Sequence, residues 1–109
     1  LFNSNNRILL KDIKGALHYL LPEEIIYINI DHRTASIHTA SQEVFDINKQ
    51  LIELMELLPT MLQCHKSWLV NPKYITKVER YKVTLLNSEE LPIGKSRYDE
   101  FKNSLKRSD

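Results

Sequence analysis

The most reactive side chains in the sequence are those of Cys64 and His65, which are adjacent in the chain. In a strand, adjacent side chains point to opposite faces, so this thiol and this imidazole cannot form a hydrogen-bonded nucleophile and base. A buried, unreactive Cys64 is the simpler interpretation. The other histidines, His18, His32 and His38, lack the spacing of metal ligands.

Motifs of the common catalytic sites are missing from the sequence. There is no glycine-rich phosphate loop, no G-x-S-x-G motif and no recognisable pair of catalytic carboxylates. We therefore predict that the protein is not an enzyme and needs no metal or other cofactor.

Three short polar clusters remain as candidate binding elements: residues 31–34 (DHRT), 65–67 (HKS) and 94–97 (GKSR). Each combines cationic side chains with hydrogen-bonding neighbours, the residue types that hold phosphates and touch base edges in DNA. DNA binding is one interpretation of these clusters, and a protein-interaction module would explain the same residues.

The composition is that of one soluble domain. The chain has 109 residues, of which 42% are hydrophobic and 27% charged. A single Cys fits the reducing cytoplasm, and no apolar stretch approaches the roughly 20 residues of a membrane span. The chain starts at Leu1 in a polar stretch without a Met. We expect a cytoplasmic domain over residues 7–107, cut from a longer protein whose linker ends in residues 1–6, with no membrane contact.

The charge is unevenly distributed along the chain. Residues 1–60 carry five Lys or Arg against eight Asp or Glu, whereas residues 61–109 carry ten against six. Such an excess is often only a solvated face, but it assigns any anionic partner to the second half of the chain.

The apolar pattern predicts a mainly β fold. Residues 25–30 are β-branched or aromatic almost throughout and residues 35–40 alternate with period two, which predicts a hairpin with residues 31–34 at its tip. Further short strands are expected around it, on both sides along the chain.

Two helices interrupt these strands. The first is predicted to begin after Asp46 as N-cap and to stop at Pro59. The second is expected near the C-terminus, after residues 94–97. The apolar face of the first helix consists of Ile47, Leu51, Leu54, Met55 and Leu58, and that of the second of Tyr98, Phe101 and Leu105.

Four blocks of the sequence resemble the LytTR family of DNA-binding domains. Residues 62–71, LQCHKSWLVN, resemble the central family pattern F-x-R-x-H-[RKN]-S-[FWY]-[LIV]-[VI]-N. Residues 24–28 (EIIYI), 71–78 (NPKYITKV) and 91–98 (LPIGKSRY) resemble D-I-x-Y-I-E, V-N-x-x-x-I-x-x-I and I-P-V-S-R-x-Y, respectively. The blocks occur in the family's order, and the resemblance covers residues 7–105.

The resemblance implies a fold and a function. The fold is an elongated β-sandwich of antiparallel sheets with one central and one C-terminal helix, in which loops enter successive major grooves of double-stranded DNA. The function is transcription regulation, usually as the output domain of a two-component response regulator with a receiver domain before it. Such proteins bind repeated promoter elements as homodimers. The alternative is a LytTR-like module that binds another protein and antagonises a regulator.

The resemblance also implies base contacts from three loops. The third contact is open because Gly94 and Lys95 stand where the family has Ser-Arg, and the first is open because the hairpin loop varies in length. The implied base contacts are His32 or Arg33, then Lys66, then one of Lys95, Ser96 and Arg97.

Further residues in these blocks are expected to contact the DNA backbone or to position the loops. They are His65, Ser67, Asn71, Lys73, Lys77 and Arg80. Each has a simpler interpretation. His65 holds the loop by donating to the backbone, Ser67 and Asn71 are turn and cap residues, and the cations simply face water. Lys66 could likewise be only solvated, and Trp68 is expected in the core.

Overall fold

The computed structural model describes residues 6–107, so only Asn6 of the predicted linker end, residues 1–6, lies within it. The strands are β1 (Ile8–Lys11), β2 (Leu17–Leu20), β3 (Ile25–Asp31), β4 (Thr34–Thr39), β5 (Val44–Ile47), β6 (Leu62–His65), β7 (Trp68–Val70), β8 (Ile75–Glu79), β9 (Lys82–Leu85) and β10 (Glu90–Pro92). The helices are α1 (Leu51–Leu57) and α2 (Tyr98–Arg107), and 3-10 turns span Pro22–Glu24, Pro72–Tyr74 and Lys95–Arg97.

The strands form three antiparallel sheets. The largest has five strands in the order β5-β4-β3-β7-β6, the next has three in the order β10-β9-β8, and β1 pairs with β2. This confirms the mainly β, antiparallel fold with a central and a C-terminal helix that the sequence predicted. β3 lies at the centre of the largest sheet because its β-branched and aromatic residues are suited to burial on both faces.

The five-stranded sheet is covered on both faces. Side chains alternate along β3, so Ile28 faces one core and Tyr27 faces the other. On one face the sheet packs against the β1–β2 hairpin and α1, and on the other against the three-stranded sheet and α2. The first core includes Leu10, Leu20, Ile28, Ile37, Leu54, Leu58 and Leu69. The second includes Tyr27, Cys64, Val70, Val83, Leu85, Leu91 and Phe101.

Helix α1 begins later than the sequence predicted. Asp46 and Ile47 belong to β5, where the carboxylate of Asp46 accepts a hydrogen bond from Ser36 at 2.6 Å. The helix starts at Leu51, and the side chain of Glu53 accepts from the backbone N–H of Gln50 at 2.9 Å. Asp46 as N-cap is therefore wrong, because Ile47 fits the period of a strand as well as that of a helix, and pairing with β4 decides between them.

Asn71 ties the end of β7 to the start of β3. Its Nδ2 donates to the carbonyl of Ile25 at 2.9 Å, and its backbone N–H donates to the carbonyl of Ile26 at 2.9 Å. Its Oδ1 accepts from the backbone N–H of Lys73 at 3.0 Å, which caps the 3-10 turn leading to β8. The buried amide thus links the central strand of one sheet to the segment that enters the other.

Replacing Asn71 with Ala should lower the free energy of unfolding by about 1–3 kcal/mol, because it leaves the buried Ile25 carbonyl without its partner. Urea unfolding of the two proteins measures the difference. Asn87→Ala is a matched control, since Asn87 forms two hydrogen bonds with Glu89 at 3.0 Å but is exposed. Its loss should be about 0.5 kcal/mol or less. Equal losses would contradict the role assigned to the buried amide.

Candidate nucleic-acid interface

The first polar cluster forms the turn between β3 and β4. Asp31 pairs with Thr34, so His32 and Arg33 are the two turn residues. His32 has a φ of 61°, the left-handed conformation that tight hairpin turns use at this position. Its Nδ1 lies 2.7 Å from Oδ1 of Asp31. Arg33 is exposed and forms no salt bridge within the described residues, so its guanidinium is free for a partner.

The second cluster forms the turn between β6 and β7. Lys66 and Ser67 are the turn residues, and Lys66 is exposed. The ring of His65 closes the turn, because its Nδ1 accepts a hydrogen bond from the backbone N–H of Ser67 at 3.2 Å. The sequence predicted a histidine that donates to the backbone, whereas here the ring accepts. An accepting Nδ1 requires the neutral imidazole with its proton on Nε2.

These two turns are neighbours at one end of the five-stranded sheet. β7 runs antiparallel to β3 with Trp68 opposite Asn29. One residue further, the backbone N–H of Ile30 donates to the carbonyl of Ser67 at 2.8 Å. The turn that precedes β7 therefore lies beside the turn that follows β3.

The third cluster is held against the end of β6. The backbone N–H of Gly94 donates to the carbonyl of Cys64 at 2.8 Å, and the guanidinium of Arg97 donates to Oε1 of Gln63 at 3.1 Å. Gly94 also lies beside the His65 ring, whose Cδ2 would be 3.9 Å from a Cβ at residue 94. The third cluster is thus adjacent to the second.

Within the third cluster, the three candidate base contacts differ in their surroundings. Lys95 and Ser96 are exposed. The ammonium group of Lys95 lies 5.7 Å from the centre of the Tyr81 ring, a weak cation–π contact that leaves its hydrogen-bond donors free. Arg97 is partly buried and already bonded to Gln63. The three predicted clusters therefore follow one another along one end of the molecule.

The predicted backbone-contacting residues do not all lie at this end. Asn71 and Lys73 are beside the start of β3, and the seven residues of this strand separate them from the hairpin tip by about 20 Å. Lys77 lies within β8, with its ammonium group 3.7 Å from Glu79. Arg80 is exposed at the β8–β9 turn. This turn lies next to the third cluster, because the carbonyl of Tyr81 accepts a hydrogen bond from the backbone N–H of Ile93 at 2.8 Å.

Lys49 belongs to this end of the molecule but was not among the residues predicted from the sequence. β5 ends opposite Ala35, so the residues after Ile47 continue past the start of β4. Lys49 and Arg33 consequently line one open groove of about 440 Å³. The apolar pattern of the sequence assigned Ile47 to a helix and therefore did not predict the position of Lys49. Because Ile47 instead ends a strand opposite Ala35, the residues after it lie near the hairpin tip.

Two of the remaining histidines, His18 and His38, stack on aromatic rings within the fold. His18 stacks on Phe45 with ring centres 3.6 Å apart, and its Nε2 lies 2.7 Å from Oδ2 of Asp12. His38 stacks on Tyr27 with ring centres 4.1 Å apart, and burial lowers the pKa of its imidazole.

Among residues 6–107, no group of His, Cys, Asp and Glu side chains could hold a metal ion. The helices of the described chain are all too short or too polar to cross a membrane.

Comparison with known proteins identifies the family of the chain. The sequence model of the LytTR family, described as the LytTr DNA-binding domain, matches residues 15–106. The chain belongs to the LytTR family of DNA-binding domains. This family is one of DNA-binding domains, not of enzymes. No curated protein matches the chain significantly in sequence.

A solved structure shares the LytTR fold. It is a LytTr DNA-binding domain from Bacillus cereus, of a protein described as a methyl-accepting/DNA response regulator. The TM-score is 0.73 at 19% sequence identity, and the alignment covers 91% of this chain and 94% of that one. At this identity the comparison establishes the fold alone.

In this LytTR domain, Cys64 is a core residue. Its side chain is fully buried, and its Sγ lies 4.0 Å from the carbonyl of Trp68. Burial raises the pKa of the thiol to about 12. Trp68 is only partly buried and packs against the same core, with its ring centre 5.6 Å from that of Tyr27.

Cys64 should therefore resist thiol reagents in the folded protein. Labelling with Ellman's reagent should be at least about 100-fold slower in the native than in the urea-unfolded protein, because the thiolate is the reactive form and is both rare and inaccessible. Raising the pH from about 7 to about 9 should speed labelling of the unfolded chain, whereas labelling of the native chain should stay at least about 100-fold slower, since the native pKa lies above this range. Comparable native and unfolded rates would show that the thiol is accessible.

Proposed function

We propose that this LytTR domain binds double-stranded DNA in a sequence-specific manner and regulates transcription. The observation that carries the proposal is the alignment of three cationic turns at one end of the molecule. The hydrogen bonds from Ile30 to Ser67 and from Gly94 to Cys64, both 2.8 Å, hold these turns in fixed relative positions. Fixed donors on a rigid scaffold can match the edges of successive base pairs without a large loss of conformational entropy.

One residue in each turn is the strongest candidate for reading bases. In the first turn it is Arg33, because the His32 ring is paired with Asp31. In the second it is Lys66, which is exposed at the tip. In the third it is Lys95, because Arg97 is engaged by Gln63, and Ser96 beside it adds a hydroxyl group. Arg and Lys are the side chains that most often contact the N7 and O6 acceptors of guanine in the major groove.

His65, Ser67 and Gly94 would act as positioning residues. The His65 ring fixes the backbone of the second turn and lies against Gly94 of the third. A side chain that links two turns in this way sets the spacing between their tips. Arg80 lies beside the third turn and Lys49 beside the first, so these two cations would contact phosphates at the margins.

We infer that this domain is the output half of a response regulator that also contains a receiver domain. The support is the similar Bacillus cereus domain, which belongs to a protein described as a response regulator. A homodimer on repeated promoter elements would place two sets of three turns on the same duplex. Such a regulator would meet its DNA in the cytoplasm.

DNA binding should be detectable and strongly salt-dependent. The 109-residue chain is used to select duplexes from a random-sequence pool, and fluorescence anisotropy then measures the affinity for the selected duplex at several salt concentrations. Each phosphate contact should add about −0.9 to the slope of log K against log salt. Failure to enrich any sequence, with no binding at 20 mM salt, would reject the proposal. It would favour the alternative of a protein-binding antagonist.

Lys66→Ala should weaken binding to the selected duplex by about 1–3 kcal/mol and relax the preference at one position, because a base contact is lost. Anisotropy on a set of single-base variants of the duplex measures both effects. Lys73→Ala removes the same charge at the opposite end of β3 and should change the affinity little. An equal loss on all duplexes would make Lys66 a phosphate contact. A comparable loss for Lys73→Ala would show that the interface extends along the molecule.

A further inference from the structure

Three lysines outside the three turns share one open groove. Lys11 ends β1, Lys14 lies in the turn between β1 and β2, and Lys49 follows β5. The backbone N–H of Ile13 donates to the carbonyl of Asp46 at 2.9 Å, which holds the β1–β2 turn beside the end of β5. Together the three lysines line a groove of about 700 Å³, called the lysine groove below.

We propose that the lysine groove binds the phosphate backbone of DNA that flanks the bases read by the three turns. This inference rests on the proposed function and extends it to a longer DNA segment. The family match covers residues 15–106, so Lys11 and Lys14 lie just before it.

The groove has an unbalanced positive charge. Asp12 supplies the only carboxylate among its described lining residues. That carboxylate is engaged elsewhere: its Oδ2 lies 2.7 Å from Nε2 of His18, and its Oδ1 accepts from the backbone N–H groups of Lys14 and Ala16 at 2.9 Å. Lys11, Lys14 and Lys49 form no salt bridge within residues 6–107. Three ammonium groups are therefore available to an anion.

Two further acidic residues, Glu43 and Asp46, lie near the lysine groove but do not line it. They line an adjoining cavity of about 260 Å³ around His18, and this cavity shares Asp12, Ile13 and Lys14 with the groove. One carboxylate oxygen of Asp46 is bonded to Ser36 at 2.6 Å, and one of Glu43 lies 3.6 Å from Nδ1 of His18. Neither carboxylate forms an ion pair with a lysine of the groove within the described residues, and Lys11 and Lys49 do not line the cavity that contains them.

The lysine groove is continuous with the first turn. Lys49 lines both this groove and the one that it shares with Arg33. In the shared groove the acidic residue is Glu53, whose Oε1 accepts from the backbone N–H of Gln50 at 2.9 Å. A duplex seated on the three turns would therefore meet Arg33 and then Lys49 on its way to the β1–β2 turn.

The chemistry of the groove suits phosphates rather than base edges. A Lys ammonium is a compact point charge on a flexible stem, which binds phosphate oxygens without demanding a fixed geometry. Non-specific backbone contacts tolerate that freedom, whereas base reading does not.

The test uses two duplexes that carry the same site, selected by this chain from a random pool. One ends at the edges of the site, and the other extends by 10 base pairs on each side. The variant is Lys11→Ala/Lys14→Ala, and the matched control is Lys102→Ala/Lys106→Ala, which loses the same charge elsewhere. Thermal unfolding checks that both variants are folded.

On the extended duplex, the groove variant should bind at least about tenfold more weakly than the unmodified chain, with a salt slope smaller in magnitude by about 2, as expected for two lost phosphate contacts. On the short duplex, its affinity should fall by less than about twofold, because the flanking phosphates are missing. The control variant should show no dependence on duplex length.

Three outcomes would overturn the inference. Equal losses on both duplexes would place the lysines within the base-reading site. An equal length-dependent loss in the control variant would make the effect one of total charge. Unchanged binding of the groove variant to the extended duplex would show that the groove is not occupied. If the unmodified chain binds neither duplex, the proposed function itself fails, a result distinct from the other three.

Discussion

The pairing of β7 with β3 is the interaction on which the rest of the molecule depends. It places Trp68 opposite Asn29 and Val70 opposite Tyr27, and the next hydrogen bond joins Ile30 to Ser67. A slip of one residue would exchange the two faces of β7, because side chains alternate along a strand. It would expose Leu69 and move the second turn away from the first. Burial on both faces of the central sheet thus fixes the geometry of the turns.

The buried and the exposed residues of segment 62–71 have different tasks. Cys64 and Asn71 are buried and hold the segment, the first in the core beneath the turn and the second through its bonds to β3. His65 lies between the two groups, since its ring braces the turn from the side. Lys66 alone projects freely from the tip. Most of the motif therefore serves to hold one or two side chains in place.

The charge distribution in space differs from that along the chain. The first 60 residues are net acidic, which suggested that an anionic partner would belong to the second half. The fold instead brings Arg33 and Lys49 from the first half to the same end as Lys66 and Lys95. Two acidic groups nearby are hydrogen-bonded within the fold: the carboxylate of Asp12 to the ring of His18, and that of Glu53 to the backbone N–H of Gln50 at the start of α1. Local pairing decides which charges a partner would meet.

The sequence by itself determined the fold class, the hairpin tip at residues 31–34, the burial of Cys64 and the family, because each depends on local patterns or on motifs read in order. The start of α1 was decided by the pairing of Ile47 with β4, because an apolar residue at position 47 fits the pattern of a strand as well as that of a helix. Only the tertiary structure decided that Lys49 joins the first turn, that Lys73 lies about 20 Å from it, and that Arg97 is engaged by Gln63. Those relations are set by strand order and register, which bring together residues far apart in the sequence and leave no local signal.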